Sequence, residues 1–242
     1  MKWTLQPVKD FGWKMKSLST AITGYSKNKN DVIHLHIEHS IIKGVLPEML
    51  EWWFRNIGGE MEYQGRKYQR YHVWHPLDHI HWSLANQLPC GQVGVGSKFH
   101  IVEALGRNMD MLVDVVDKVK KLDSQGILLE GRFAGIRISS LSHQFIAAGG
   151  GTRYVSDLHI GVNNLFGKYI LNPIIRKKIF TKAMGRAWLR HNIEEVGNFE
   201  FFLPTLYWTE KNKAIGKMAK PDPAGELRGP NQVPLTKHNL IL

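Results

Sequence analysis

Cysteine is almost missing from this chain: the single residue is Cys90, in 242. No intrachain disulfide can form, and no cysteine-based zinc ribbon can be built. Cys90 sits between Pro89 and Gly91, a loop setting that suits an ordinary free thiol. No run of eighteen apolar residues occurs, so no transmembrane helix is expected. The opening Met1-Lys-Trp-Thr-Leu-Gln6 lacks the apolar stretch of a secretory signal, and the expected location is the cytoplasm. Zinc-finger spacing, an RNA-recognition signature and an arginine-rich tail are also missing. Gly91, Gly94 and Gly96 punctuate a loop that no helix follows, which excludes a phosphate-binding fingerprint. No internal repeat is evident.

Acidic residues are the scarcer charge, 21 against 32 Lys and Arg, for a net charge of +11. The cations are scattered along the chain, with small runs at Lys118, Lys120 and Lys121 and at Arg176, Lys177, Lys178 and Lys182. Such scatter reads as a solvated basic surface, with no nucleic-acid and no membrane partner. A hydrophobic fraction of 43% and a charged fraction of 22% are those of a globular chain. The length suits one large domain or two small ones with a substantial core. Eight Trp, seven Tyr and ten Phe fit an aromatic core and an aromatic-lined cavity equally well.

Periodicity sets the expected elements. Residues 1–30 read as an arm and loop. Ile33, Leu35 and Ile37 alternate with His34, His36 and Glu38, a half-exposed strand whose histidines face solvent. Pro47 opens a short helix to Asn56, stopped by Gly58-Gly59. Tyr68–His75 reads as a strand ended by Pro76, leaving Asp78 and His79 in a turn. Further strands are expected at Lys98–Glu103, Asp110–Val119, Gly126–Glu130, Phe133–Phe145 and, after Gly149-Gly-Gly151, at Arg153–Ile160. A long amphipathic helix is expected from about Pro173 to Val196, with Gly197 as its stop. From Lys211 a polar tail is expected to drape over the surface or move freely. Strands followed by one long helix suggest a curved antiparallel sheet gripping that helix, with a cavity between the two.

Two clusters carry chemistry. Tyr71-His-Val-Trp-His-Pro-Leu-Asp-His-Ile-His81 holds His72, His75, Asp78, His79 and His81 in a short span. Imidazole is the commonest biological metal ligand. Downstream, His191 and Glu195 lie four apart in a helical pattern, so one nitrogen and one oxygen stack on a single face. Zinc accepts such donors in near-tetrahedral geometry. His79 or His75 would supply a further nitrogen. Glu103, a carboxylate on an otherwise apolar strand face and costly there unless paired, would supply a further oxygen.

Trp52-Trp53-Phe54, Trp74-His-Pro-Leu-Asp-His79, and Arg190-His-Asn-Ile-Glu-Glu-Val-Gly197 with Phe202-Leu-Pro204 resemble the diacetylphloroglucinol hydrolase and phloretin hydrolase family, over roughly Val45 to Tyr207. The resemblance implies an α+β, Bet v 1-like helix-grip fold with extra N-terminal elements. The expected boundaries are 1–44 for an N-terminal arm and strand, 45–210 for the helix-grip domain and 211–242 for a tail. It implies metal-dependent hydrolysis of the carbon–carbon bond between an acyl group and a polyhydroxylated aromatic ring, through a metal-bound hydroxide. The implied cofactor is Zn2+, held by two histidines and two glutamates. These fall on His191, Glu195, Glu103 and a histidine of the Trp-His-Pro motif. That histidine is His75 or His79, with His79 preferred because it escapes the proline; Glu194 competes with Glu195. Tyr71, His143 and Tyr154 are implied as the groups that hold the ring hydroxyls and carbonyl, and a ring carbon leaves only if a donor such as His143 or a tyrosine protonates it. The implied partner is a small-molecule aromatic ketone, and a homodimer is compatible with the chain. The rival reading is a non-catalytic helix-grip module that binds a hydrophobic aromatic ligand and needs no metal.

Overall fold

In a computed structural model of the chain, residues 2–218 are described. Two compact units are distinguished, Met1–Trp208 and Thr209–Leu242; the described part of the second is the last stretch of a helix.

The alternating apolar residues build the sheet. Ile33, Leu35 and Ile37 are fully covered in β2 (Ile33–His39) while His34 and His36 are half-exposed on the other face. β1 (Ala21–Lys27) pairs β2 along one edge. β3 (Ile42–Lys43) pairs the start of β11 (Gly151–Ile160). β6 (His79–Leu84), β7 (Lys98–Ala104), β8 (Leu112–Asp123), β9 (Gly126–Phe133) and β10 (Ile136–Ala148) are joined by antiparallel pairing. The sheet has nine strands in the order β1-β2-β11-β10-β9-β8-β7-β6, with β3 off this path. A separate hairpin, β4 (Glu60–Tyr63) and β5 (Arg66–Gln69), turns through Gln64 and Gly65, both with positive φ (49° and 73°), as two-residue hairpin loops favour.

α1 (Pro47–Asn56) has proline in its first turn and buries Met49, Leu50, Trp53 and Phe54. The long helix α4 (Lys182–Met218) is the axis of the fold. Every residue from His191 to Phe199 is buried, the signature of a helix enclosed by its surroundings. Val196, Phe199, Phe202 and Leu203 share one hydrophobic cluster with α1 and with Phe99, Val119, Leu129 and Phe145 of the sheet. Met184, Trp188, Leu189 and Ile193 share a second with Ile33, Leu35, Ile37, Leu158 and Ile160. A large antiparallel sheet therefore grips one long C-terminal helix: the Bet v 1-like, α+β arrangement expected from the sequence. No helix among the described residues is long and apolar enough to cross a membrane.

Several local expectations are corrected. Tyr68–His75 is not a strand: β5 ends at Gln69 and the chain makes one helical turn, α2 (Arg70–Trp74). Burial of Tyr71 and Trp74 on the same side of that turn outweighs the strand preference of its aromatic and β-branched residues. Residues 21–27, expected in a loop, form β1, so the N-terminal segment contributes strands to the main sheet. The helix expected from Pro173 is interrupted. π-helical turns Gly167–Leu171 and Ile175–Ile179 flank α3 (Asn172–Ile174), and Phe180 leaves helical geometry (φ −140°, ψ 87°) before α4 begins. Gly197 does not stop α4, nor does Pro204 inside it. Val196 and Asn198 beside Gly197, and Leu203 and Leu206 around Pro204, are buried, and that packing offsets the hydrogen bond a proline forfeits. Residues 211–218 are helical, and the rest of the expected tail lies outside the described residues.

Candidate metal centre

The α2 turn positions the first half of the centre. His75 precedes Pro76, a position that disfavours helix, and takes extended geometry (φ −133°, ψ 94°). The chain then doubles back so that His79 Nδ1 lies 2.7 Å from the Tyr71 carbonyl. The carbonyl can only accept, so Nδ1 carries the proton and Nε2 is a bare lone pair. The Tyr71 ring stacks on His79 (centroids 3.8 Å apart, planes within 6°), which fixes the imidazole plane. A register shift between His79 and His81 locally breaks the β6–β7 ladder, and bulges of this kind re-aim side chains.

Glu103 is the register partner of His79 on β7, and the Tyr71 hydroxyl donates to its Oε1 at 2.6 Å. From α4, His191 and Glu195 arrive on one face. His191 Nδ1 is 3.0 Å from Asp78 Oδ2, while Asp78 also accepts from the backbone N–H groups of Gly106 and Arg107 (2.8 and 3.0 Å). Asn192 Nδ2 donates to Glu195 Oε1 at 2.6 Å. The convergence is tight. His79 Nε2 lies 3.6 Å from Glu103 and 3.4 Å from Glu195; His191 Nε2 lies 3.4 Å from Glu103 and 3.6 Å from Glu195. Both Nε2 atoms are buried and make no hydrogen bond.

Electrostatics mark the cluster as tense. Burial drives His79 down to about 3, so it is neutral. Burial, with the charge of Glu195 adding to it, pushes Glu103 up to about 7. Burial opposes the charge on Glu195 too, but His191 and His79 beside it hold its carboxyl well below the usual range. Burial likewise disfavours a charged His191, yet Glu103 and Glu195 outweigh it and raise the imidazole well above its ordinary value. A buried glutamate and a largely covered one facing two bare imidazole nitrogens are an arrangement that a divalent cation satisfies better than protons do. The donors of His79, His191 and Glu195 lie within 4.8 Å of one another. The residues present fit such an ion, and the second half of the fit is the supporting layer of Tyr71, Asp78 and Asn192.

The other expected residues play different parts. His75 is buried but turned away: its Nδ1 accepts from the Asp78 N–H (3.2 Å) and its Nε2 faces Glu194 at 3.3 Å. It stacks on His191 (centroids 4.4 Å apart), and His75, Asp78 and His191 form a second buried group whose donors lie within 4.8 Å of one another. Glu194 is bonded to Arg190 Nε at 2.8 Å and so belongs to the His75 side. His143 lines the cavity, its Nδ1 2.9 Å from Ser156 Oγ, and burial lowers it to about 4. Tyr154 packs against His143 (centroids 5.1 Å apart) and is not among the residues lining the cavity; its hydroxyl is buried. Asn192 and His39 were missed as site residues, and Asp78, named in the first cluster, was given no role. His39 continues the odd-numbered inward face of β2 and reaches Ser156 Oγ at 3.2 Å, so the strand alternation carried a signal for it. Asn192 had none beyond adjacency to His191.

The cluster opens into a cavity of about 410 Å³ between sheet and helix, walled by Phe54, Trp82, Phe99, Ile101, Leu141 and Trp188 among others.

Residues 17–208 match the family described as DAPG hydrolase PhiG domain. Among curated proteins none matches significantly. The backbone is similar to protein Ms6760 from Mycobacterium smegmatis (11% identity, 76% of this chain and 98% of that chain, TM-score 0.45). It is also similar to a protein from Rhodobacter sphaeroides (11% identity, 76% and 99%, TM-score 0.43). A third similar structure is Ara h 8.0201 (14% identity, 67% and 97%, TM-score 0.36).

Proposed function

The chain belongs to the DAPG hydrolase family, and from that premise we propose that it is a zinc-dependent hydrolase of the carbon–carbon bond joining an acyl group to a polyhydroxylated aromatic ring. The observation that carries this reading is the pair of buried, unpartnered imidazole nitrogens of His79 and His191 facing Glu103 and Glu195, with Glu103, His191 and Glu195 lining an aromatic-walled cavity. Those four residues would hold the ion. When bound, it supplies Lewis acidity and a water that ionises near neutral pH.

The remaining chemistry belongs to the side chains. Tyr71 fixes His79 through its carbonyl and Glu103 through its hydroxyl, and Asp78 fixes His191, so the donors meet without reorganisation. The apolar walls exclude bulk water and strengthen every charge–dipole contact within. One water is consumed: its hydroxyl ends on the acyl carbon, and its other hydrogen ends on the ring carbon that leaves. That carbon leaves well only from the keto tautomer of a ring bearing adjacent hydroxyls. His143 is neutral and tied at Nδ1 into a Ser156–His39 relay, which suits it to move a proton between a ring hydroxyl and the ring carbon. Loss of His143 should lower turnover about 10²-fold or more.

Elemental analysis of purified protein and a screen of acylated phenols test the reading together. One zinc-like ion per chain is expected, with the carboxylic acid and deacylated phenol as products. Methyl ethers of the ring hydroxyls should bind and hardly react. Protein that holds no transition metal and gains no activity from added metal would make it a binding module instead.

A further inference from the structure

One histidine pattern has no part in that chemistry. His34 and His36 alternate along β2 with the covered Ile33, Leu35 and Ile37. Those apolar residues pack toward α4, so both imidazoles stand on the outer face of the sheet.

Strand register completes the group. On β11, Asp157 is the partner of His36 and His159 is the partner of His34, and residues directly opposite share a face. Asp157 Oδ1 lies 2.7 Å from His34 Nε2 and 2.8 Å from His36 Nδ1. The His159 ring stacks on His34 (centroids 4.2 Å apart, planes 8° apart), much as Tyr71 stacks on His79. The donor atoms of His34, His36 and Asp157 all lie within 4.8 Å of one another.

The strands on either side leave the group open. Gly24 and Ser26 of β1 stand opposite His36 and His34, and Ser142 and Ser140 of β10 stand opposite Asp157 and His159. Small residues therefore flank both ranks, and the His34 and His36 side chains remain 34% and 35% exposed, so an ion has a path in from solvent.

One carboxylate oxygen serves two imidazoles here. A carboxylate only accepts, so each bond uses an N–H, but either neutral ring can carry its proton on its other nitrogen instead. That shift leaves two lone pairs and an anion facing one point, which is the donor set of a divalent transition ion. Imidazole with carboxylate suits Zn2+, Ni2+ and Cu2+, whereas Mg2+ and Ca2+ favour oxygen donors throughout.

We propose that His34, His36 and Asp157 form a second metal site, solvent-facing and on the opposite side of the sheet from the His79–His191 centre, that takes a divalent transition ion. Three protein donors leave the rest of the coordination to water. The ion therefore exchanges with solvent, and isolated protein keeps the inner ion alone. Asp157 is far from the two histidines in sequence, so the site exists only in the folded chain, where an ion would staple β2 to β11. The assignment rests on the outer face and is independent of the reaction proposed for the cavity.

Untagged, full-length protein already loaded with zinc is titrated with Ni2+ by calorimetry, so that the inner donors are occupied and uptake reports on the outer face. The wild type should take up one equivalent. Asp157→Asn keeps an oxygen that accepts from both imidazoles and removes the charge, so the sheet stands while Ni2+ affinity falls at least about 10-fold. His36→Ala removes a donor and should lower affinity about 100-fold. His100→Ala removes a histidine–aspartate pair elsewhere on the sheet (His100 Nε2 to Asp114 Oδ1, 2.8 Å) and should leave uptake as it was. Saturating Ni2+ should raise the melting temperature of the wild type and not that of His36→Ala, because the ion binds only the folded chain. No uptake by the zinc-loaded wild type overturns the site. So does uptake that survives both Asp157→Asn and His36→Ala, or uptake that is lost with His100→Ala.

Discussion

Asp117→Asn should make the protein more stable as pH rises, and the magnitude comes from burial. The carboxyl, on β8, is 9% exposed, its Oδ1 has no hydrogen-bond partner, and desolvation alone raises it from 3.8 to about 6. Each unit is worth about 1.4 kcal/mol, so the ionised carboxylate costs the folded state about 3 kcal/mol. The sign is set by where each state titrates. Below the unfolded value near 3.8 both states are protonated and nothing is lost. As pH rises toward about 6 the unfolded chain releases a proton that the folded chain retains, and the cost grows. Above that both are ionised and the cost is constant. Asparagine does not titrate, although its buried amide carries a fixed cost of its own. The useful quantity is therefore the stability gap between variant and wild type, measured at pH 4 and again at pH 8, which cancels that fixed cost. Urea unfolding of metal-stripped protein, followed by tryptophan fluorescence, should show the gap shifting by about 2–3 kcal/mol in favour of the variant at pH 8. A gap that does not change with pH would refute the claim that Asp117 is a desolvated, unpartnered charge.

Three further outcomes separate the ligands from their neighbours. His79→Ala should lose the bound metal while His75→Ala retains it, because both nitrogens of His75 are already engaged; elemental analysis decides. Glu195→Ala should abolish turnover with the circular dichroism spectrum intact. Glu194→Ala should change turnover little and cost about 1–3 kcal/mol of stability through the abandoned His75, and the reverse pattern of rates would show that the wrong helix face was assigned. Asp78→Asn should weaken metal affinity about 10- to 100-fold in a chelator competition, since it frees His191 Nδ1 from its anionic partner.

Legibility in the sequence tracks how local each feature is. The spacing of His191 and Glu195 survives folding because a helix converts four residues into one face wherever it is placed. The strands from Lys98 to Ile160 were legible from their alternation. The edge strand β1 was not, because it pairs only β2, buries no residue fully and so shows little contrast between its faces. Tyr71 to Trp74 carried strand-like residues, yet their burial beside Phe199 and His79 selects a helical turn that no local preference announces. Gly197 and Pro204 are genuine local stop signals, overruled by the packing of Val196, Phe199 and Leu203. Sequence alone leaves His75 and His79 equivalent, because what distinguishes them is which ring nitrogen a backbone group occupies: Nδ1 in both, with Nε2 facing Glu194 in His75 and making no hydrogen bond in His79. Asp117 sat inside an expected strand and became distinct only when the fold buried its carboxyl at the cavity with no hydrogen-bond partner for Oδ1.

The place of the centre within the sheet bears on how the chain fares in a crowded solution. β6 is the last strand of the sheet, hydrogen-bonded to a neighbour on one side only. Its outer side is partly occupied: His72 reaches the Ile80 carbonyl at 2.9 Å, and Trp3 stacks over His81. His79 begins this strand, and through Glu195 and His191 its side chain meets the central helix. The rim of the sheet is thus covered by His72 and Trp3 where a barrel would use another strand. A chain that loses these covers exposes an unpaired strand edge, and such an edge is a template for neighbouring chains. For this architecture, solubility in a crowded solution rests on a few side chains laid over the last strand, and Trp3→Ala or His72→Ala should cost soluble protein before either disturbs the donors.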